Sequence, residues 1–164
     1  MHARRRTLLK LAAAIGAGAG LTSLGAVARA ADAGTRVKIG LIGTGRVGGA
    51  LATAWAKAGH ELLLSSRNLD DDRVLATKLG PRARAGTTRE AVEFGDVILV
   101  SVPYGALPEI GKTLGPLLKG KIVIDTSNPI EKRDGDIAKW AREKGAGVAA
   151  TELTHLSQLA ADFR

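Results

Sequence analysis

The sequence contains no cysteine, so disulfide bonds, thiolate nucleophiles and cysteine-ligated metals are excluded at the outset. Aromatic residues are nearly as scarce, at 3%. Ala, Leu, Val and Ile must therefore build whatever core forms. Acidic residues are missing from the first 30 positions, where five basic ones stand: Arg4, Arg5, Arg6, Lys10 and Arg29. The net charge of +8 is thus concentrated at the amino terminus, and the rest of the chain carries 19 basic residues against 16 acidic. Such a mild, dispersed excess is no footprint for nucleic acid. After the leader there is no repeat, coiled-coil heptad or low-complexity linker.

What is present is the composition of a globular protein: 164 residues, 45% hydrophobic and 24% charged, enough for one core. Residues 1–30 have the three parts of a signal peptide: a basic start, an Ala- and Gly-rich apolar run from Leu11 to Val27, and the small-x-small site Ala28-Arg29-Ala30. Within them, Arg5-Arg6-Thr7-Leu8-Leu9-Lys10 resembles the twin-arginine export pattern. That resemblance implies export of a folded protein to the periplasm, with no stable membrane insertion after cleavage. Two alternatives stand beside this reading. One is an uncleaved anchor helix, against which the four glycines between Gly16 and Gly25 argue; the other is a misassigned start codon.

From Arg36 onward, short apolar strands alternate with helical segments, which predicts an α/β fold with a doubly wound parallel sheet of five to six strands. Strands are expected at Val37–Ile42, Glu61–Ser65, Arg82–Ala85, Val97–Val102 and Lys121–Thr126. Helices are expected at Arg46–Ala58 with Gly59 closing it, Asp72–Leu79, Thr88–Phe94 and Asp136–Lys144. Tyr104–Leu118 reads as a helical stretch interrupted by Pro108, Gly111 and Gly115. Residues 36–150 form the expected domain, and 151–164 an uncertain tail.

Gly43-Thr44-Gly45-Arg46-Val47-Gly48 follows a predicted strand and opens a predicted helix, the context in which a Gly-x-Gly-x-x-Gly turn cradles a pyrophosphate. The free N–H groups and dipole of the helix start then face the anion. At the end of the second strand, where the adenosine ribose of a dinucleotide lies, the sequence has Ser65-Ser66-Arg67-Asn68 in place of an acid. Ser66 and Arg67 can both donate to a 2′-phosphate, which favours NADP(H) over NAD(H). Asp70, Asp71 and Asp72 read as the acidic first turn of a helix and not as metal ligands. Two further turns, Ser101-Val102-Pro103-Tyr104 and Thr126-Ser127-Asn128-Pro129, belong at the same sheet edge. Each reads equally well as part of a site or as a proline-terminated strand end.

The succession Ile39-Gly40-Leu41-Ile42-Gly43-Thr44-Gly45-x-x-Gly48, Ala58-Gly59-His60-Glu61, Ser65-Ser66-Arg67-Asn68, Asp96 to Pro103 and Thr126-Ser127-Asn128-Pro129 resembles the NADP-dependent oxidoreductases that use the deazaflavin coenzyme F420. The resemblance covers about residues 36–130. It implies hydride transfer between NADPH and a deazaflavin- or flavin-like acceptor, a small molecule, in an enzyme that forms a homodimer. It further implies that Thr44, Ser66 and Arg67 contact the phosphate, that Pro103 and Asn128 line the nicotinamide pocket, and that no catalytic proton-transfer residue is needed. After Gly145 the resemblance ends, where family members continue with a strand and helices that shape the acceptor pocket. The chain therefore reads either as an oxidoreductase or as a truncated, non-catalytic NADP(H)-binding module whose acceptor site comes from a partner.

His60, His155, Trp55 and Trp140 read as structural. Gly111-Lys112-Thr113 lacks the glycine a phosphate-binding P-loop needs at position 106, where Ala106 stands. Replacing both Arg5 and Arg6 by lysine is expected to leave uncleaved precursor in the cytoplasm, followed by fractionation and immunoblotting. Normal processing of the double variant would refute the export reading.

Overall fold

In the computed structural model, residues 36–154 are described. The leader with its cleavage site, His155 and the rest of the tail lie outside the described residues. Five short apolar runs form strands: β1 (Lys38–Ile42), β2 (Glu61–Ser65), β3 (Ala83–Ala85), β4 (Val97–Val100) and β5 (Ile122–Asp125). All pair in parallel, in the order β3-β2-β1-β4-β5. The doubly wound α/β sheet expected from the sequence is the observed fold. Its central strands read as continuous apolar runs because both faces are covered. On one face Ile39, Leu41, Leu62, Leu64 and Leu99 meet Ala52 and Ala76. On the other, Ile42, Ile98 and Val100 meet Val92, Leu107, Ile110, Leu114 and Leu118.

Helices α1 (Arg46–Lys57) and α3 (Thr88–Phe94) fall where the sequence predicts them. Thr87 and Glu90 close a capping box at the start of α3. Helix α2 (Leu69–Leu79) starts three residues before the expected Asp72. Asn68 is the reason: its side chain accepts hydrogen bonds from the N–H groups of Asp70 and Asp71 and so caps the helix.

Tyr104–Leu118 is not interrupted. A 3₁₀ turn at Tyr104–Ala106 leads straight into α4 (Leu107–Leu118). Pro108 sits in the first turn, where its missing N–H has no partner to lose. Gly111 and Gly115 are buried, and Gly111 serves a close approach: a Cβ there would lie 2.1 Å from the carbonyl oxygen of Leu153. The partner is α7 (Ala146–Leu153), which follows α5 (Glu131–Asp134) and α6 (Asp136–Lys144). Helix α6 was anticipated, while α5 and α7 were not. Strand β4 stops at Val100, two residues short of the expected end, and β5 is the outer strand among those described, with Ile122 and Ile124 exposed.

Gly111→Ala is expected to destabilise the fold by roughly 1–3 kcal/mol, because the added methyl must push α7 off α4. Chemical denaturation of wild type and variant measures it. An unchanged midpoint would mean that the α4–α7 contact contributes nothing to folding.

Candidate functional site

The chain winds outward from β1 through α1 to β2 and β3, then returns through α3 to β4 on the other side of β1. Winding reverses between β1 and β4, so the loops leaving these strands diverge and open a crevice at the carboxyl edge. A cavity of about 790 Å³ lies there, lined by six of the ten sequence-predicted site residues: Gly43, Thr44, Gly45, Ser66, Arg67 and Pro103.

The glycine turn owes its shape to lack of room. Gly43 has φ +99°, and a Cβ on it would stand 2.2 Å from the Ser101 carbonyl oxygen. Gly48 lies under the turn, where a Cβ would meet the Gly43 carbonyl oxygen at 2.0 Å. Around Gly45 a Cβ would meet nothing within 4 Å, so this backbone faces open space. Gly45 is also the N-cap of α1; no side chain caps that helix, and its first turn holds no acidic residue. The N-terminal N–H groups and the positive end of the dipole are left to an external anion. Arg46 and Val47 are exposed on that first turn and do not line the cavity.

At the end of β2 the two serines part company. Ser65 is buried and donates to the Leu41 carbonyl oxygen at 2.5 Å, which ties β2 to β1. Ser66 faces the cavity. Its Oγ donates to Asp72 Oδ2 at 2.9 Å, and the Thr44 hydroxyl donates to Asp72 Oδ1. Asp72 is wholly buried. It was read from the sequence only as part of an acidic helix start, because nothing local announces a partner 28 residues away. Arg67 is exposed, and its guanidinium has no partner among the described residues.

A second buried carboxylate organises the other loops. Asp134, with a side chain 2% exposed, accepts from Arg133 Nη2 at 2.7 Å, from the Ile130 N–H at 3.0 Å and from the Gly105 N–H at 3.2 Å. It thereby ties the segment after β5 to the loop after β4. The hydrogen-bonded Arg133 guanidinium, with the N–H groups of Ile130 and Gly105, holds this carboxyl at about 2 against the opposing effect of burial. Asn128 is exposed, does not line the cavity, and offers its carbonyl oxygen to Arg133 at 2.7 Å. Helix α4 supplies the far wall through Glu109, Ile110, Thr113 and Leu114. Their periodic spacing carried the signal, but Gly111 and Pro108 were read as breaks.

Of the residues read as structural, His60 and Trp55 pack as expected, whereas Trp140 is exposed with the Lys144 ammonium 5.2 Å from its ring centre. His60 Nδ1 accepts from the Val37 N–H at 3.3 Å, and Trp55, within α1, packs on the core. Tyr104 is buried, its hydroxyl donating to the Ala146 carbonyl oxygen at 2.6 Å; burial pushes its pKa up, and the charge of Asp125 adds to the effect. Lys112 and Thr113 are in mid-helix, so no P-loop exists there. Among the described residues no cluster could hold a metal ion, and no helix is long and apolar enough to cross a membrane.

Residues 38–129 match the protein family described as NADP oxidoreductase, coenzyme F420-dependent. Among curated proteins, the chain is 30% identical over 103 residues to the F420-dependent NADP reductase of Methanothermobacter marburgensis, covering 58% of this chain and 46% of that one. It is 29% identical over 107 residues to a glycerol-3-phosphate dehydrogenase (NAD(P)+) of Desulfitobacterium hafniense, covering 58% and 30%. Among solved structures it resembles an imine reductase from Myxococcus stipitatus in complex with NADP+, with a TM-score of 0.51 and 26% identity over 66% of this chain and 38% of that one. The chain thus spans less than half the length of these relatives.

Asp134 makes acid sensitivity predictable. Its folded pKa of about 2 lies below the ordinary 3.8, so its contribution is present above the unfolded pKa and lost as pH falls from 3.8 towards 2. The shift corresponds at most to roughly 2 kcal/mol, and to about 1 kcal/mol once solvent screening is allowed for. Arg133 is 41% exposed and therefore screened. Asp134→Asn should cost that much at pH 7, with the gap from wild type closing between pH 4 and 2 in urea titrations. A gap independent of pH would contradict the assignment.

Proposed function

Because this chain belongs to the family of coenzyme F420-dependent NADP oxidoreductases, matched over residues 38–129, we propose that it binds NADP(H) in the β1–β4 crevice and exchanges hydride with a planar deazaflavin- or flavin-like acceptor. The observation that carries this reading is the pairing of an uncapped helix start behind Gly45 with an unpartnered Arg67 on one cavity wall. The first suits a pyrophosphate, and the second suits the 2′-phosphate that distinguishes NADP(H) from NAD(H). The cavity's size falls in the range of cofactor sites. The names of the reductase and imine reductase relatives point the same way.

When bound, the nicotinamide supplies or accepts the hydride. The protein's own part is to hold and orient. Gly43, Thr44 and Gly45 form the cradle for the diphosphate, Arg67 reads the ribose edge, and Pro103 flanks the nicotinamide end. No residue is assigned a proton-transfer role, since hydride passage between two rings depends on proximity, orientation and exclusion of water. With the leader read as a twin-arginine signal, the working compartment is the periplasm.

Titration of the full chain with NADPH, then anaerobic mixing with a deazaflavin and a flavin under absorbance at 340 nm, tests the proposal. Binding without hydride transfer would instead favour the cofactor-binding module. Arg67→Asp is expected to weaken NADPH roughly tenfold to a hundredfold while sparing NADH, the scale of one charge-assisted hydrogen bond. Equal weakening of both would show that Arg67 does not read the 2′-phosphate.

A further inference from the structure

Thr44 comes from the glycine turn and Ser66 from the ribose edge, and both hydroxyls donate to the same fully buried carboxylate, Asp72. A hydroxyl has one proton. Ser66 Oγ also has the Asn68 carbonyl oxygen at 3.2 Å, but the charged acceptor at 2.9 Å is the stronger claim on that proton. The same oxygen accepts from the Asn68 N–H at 3.2 Å, so with its proton held by Asp72 what Ser66 has left to offer a ligand is one oxygen lone pair, not a hydrogen. A free ribose 2′-hydroxyl can donate to such an oxygen, whereas a 2′-phosphate, which has only acceptors and negative charge, cannot. The buried charge of Asp72 would also stand about two hydrogen-bond lengths from a phosphate seated on Ser66, near enough for repulsion to count.

We propose that Asp72 is a specificity-determining positioning residue: by holding the Thr44 and Ser66 hydroxyl protons it opposes Arg67 and tempers the site's preference for a 2′-phosphate, so that NADH is accepted beside NADPH. This rests on the reading of the crevice as a nicotinamide dinucleotide site. Arg67 alone supplies the attraction for the phosphate, and Asp72 limits it. The carboxylate belongs to the fold as well, because it joins the turn after β1 to the start of α2.

The test uses the full chain and two fragments that differ only at the ribose, ADP and 2′,5′-ADP, by calorimetric titration beside thermal melts. Asp72→Asn keeps the shape but offers one acceptor and one donor, so one hydroxyl is released to the cavity. It should raise the preference for 2′,5′-ADP over ADP roughly tenfold, the weight of one hydrogen bond to a charged group. Ser66→Ala removes no buried charge and should weaken ADP more than 2′,5′-ADP. Arg67→Gln should lower the preference. A purely structural Asp72 would change both ligands by the same factor, and that result overturns the proposal. So does a loss confined to 2′,5′-ADP in Ser66→Ala, which decides the matter even if Asp72→Asn fails to fold. If wild type binds neither fragment, the cofactor reading falls and takes this inference with it. If wild type and Arg67→Gln behave as stated and Asp72→Asn leaves the preference unchanged, this inference alone is wrong.

Discussion

At Gly43 and Gly48 there is room for a hydrogen atom and nothing larger, since a Cβ at either would lie about 2 Å from a carbonyl oxygen. Everything at the carboxyl edge of the sheet depends on that contact. The close pass of Gly43 against Ser101 holds the turn after β1 to the loop after β4, and the pass of Gly48 under Gly43 draws helix α1 against the strand it leaves. The helix start is thereby brought to the point where winding reverses. Because Gly45 faces open space and no side chain or acid occupies the first turn, the unsatisfied N–H groups of α1 look into the crevice. A residue with a side chain at Gly43 or Gly48 would separate these elements and close or misdirect the cradle.

Two buried carboxylates carry the same logic outward. Asp72 gathers the hydroxyls of Thr44 and Ser66, one from each side of the cavity mouth, and Asp134 gathers N–H groups from the loops after β4 and β5. A buried carboxylate without donors is costly, so each holds its loops only while all donors are in place. Asp134 is satisfied by a guanidinium and two backbone N–H groups, and its charge is thereby compensated. Asp72 receives only neutral hydroxyls from side chains, with no cationic partner beside it among the described residues. One carboxylate therefore joins loops away from the glycine turn, while the other joins the glycine turn to the end of β2.

The cavity and the sheet edge are finished to different degrees within the described residues. On the α4 side, Val123 packs on a core closed by α6 and α7. On the opposite face of β5, Ile122 and Ile124 are exposed, in register with Val97 and Leu99 of β4. The crevice between β1 and β4 lies inside the covered part of the sheet, which is why the candidate cofactor side is well formed.

The sequence by itself determined the elements whose cause is local: apolar runs for the central strands, Gly59 after α1, and the glycine turn between β1 and α1. It also determined the parallel, doubly wound architecture, since alternating strands and helices leave few other ways to bury both sheet faces. It misjudged α4, because proline and glycine were read as breaks where Pro108 opens the helix and Gly111 admits a neighbour. Only the tertiary structure decided that Ser66 and Thr44 share a buried Asp72, that Asn128 stands off the cavity while Glu109 and Thr113 line it, and that Asp134 joins two loops. These pairings span long stretches of chain and depend on where loops converge in space. Side-chain periodicity records which face of an element is apolar, but carries no trace of which distant polar group will meet it there.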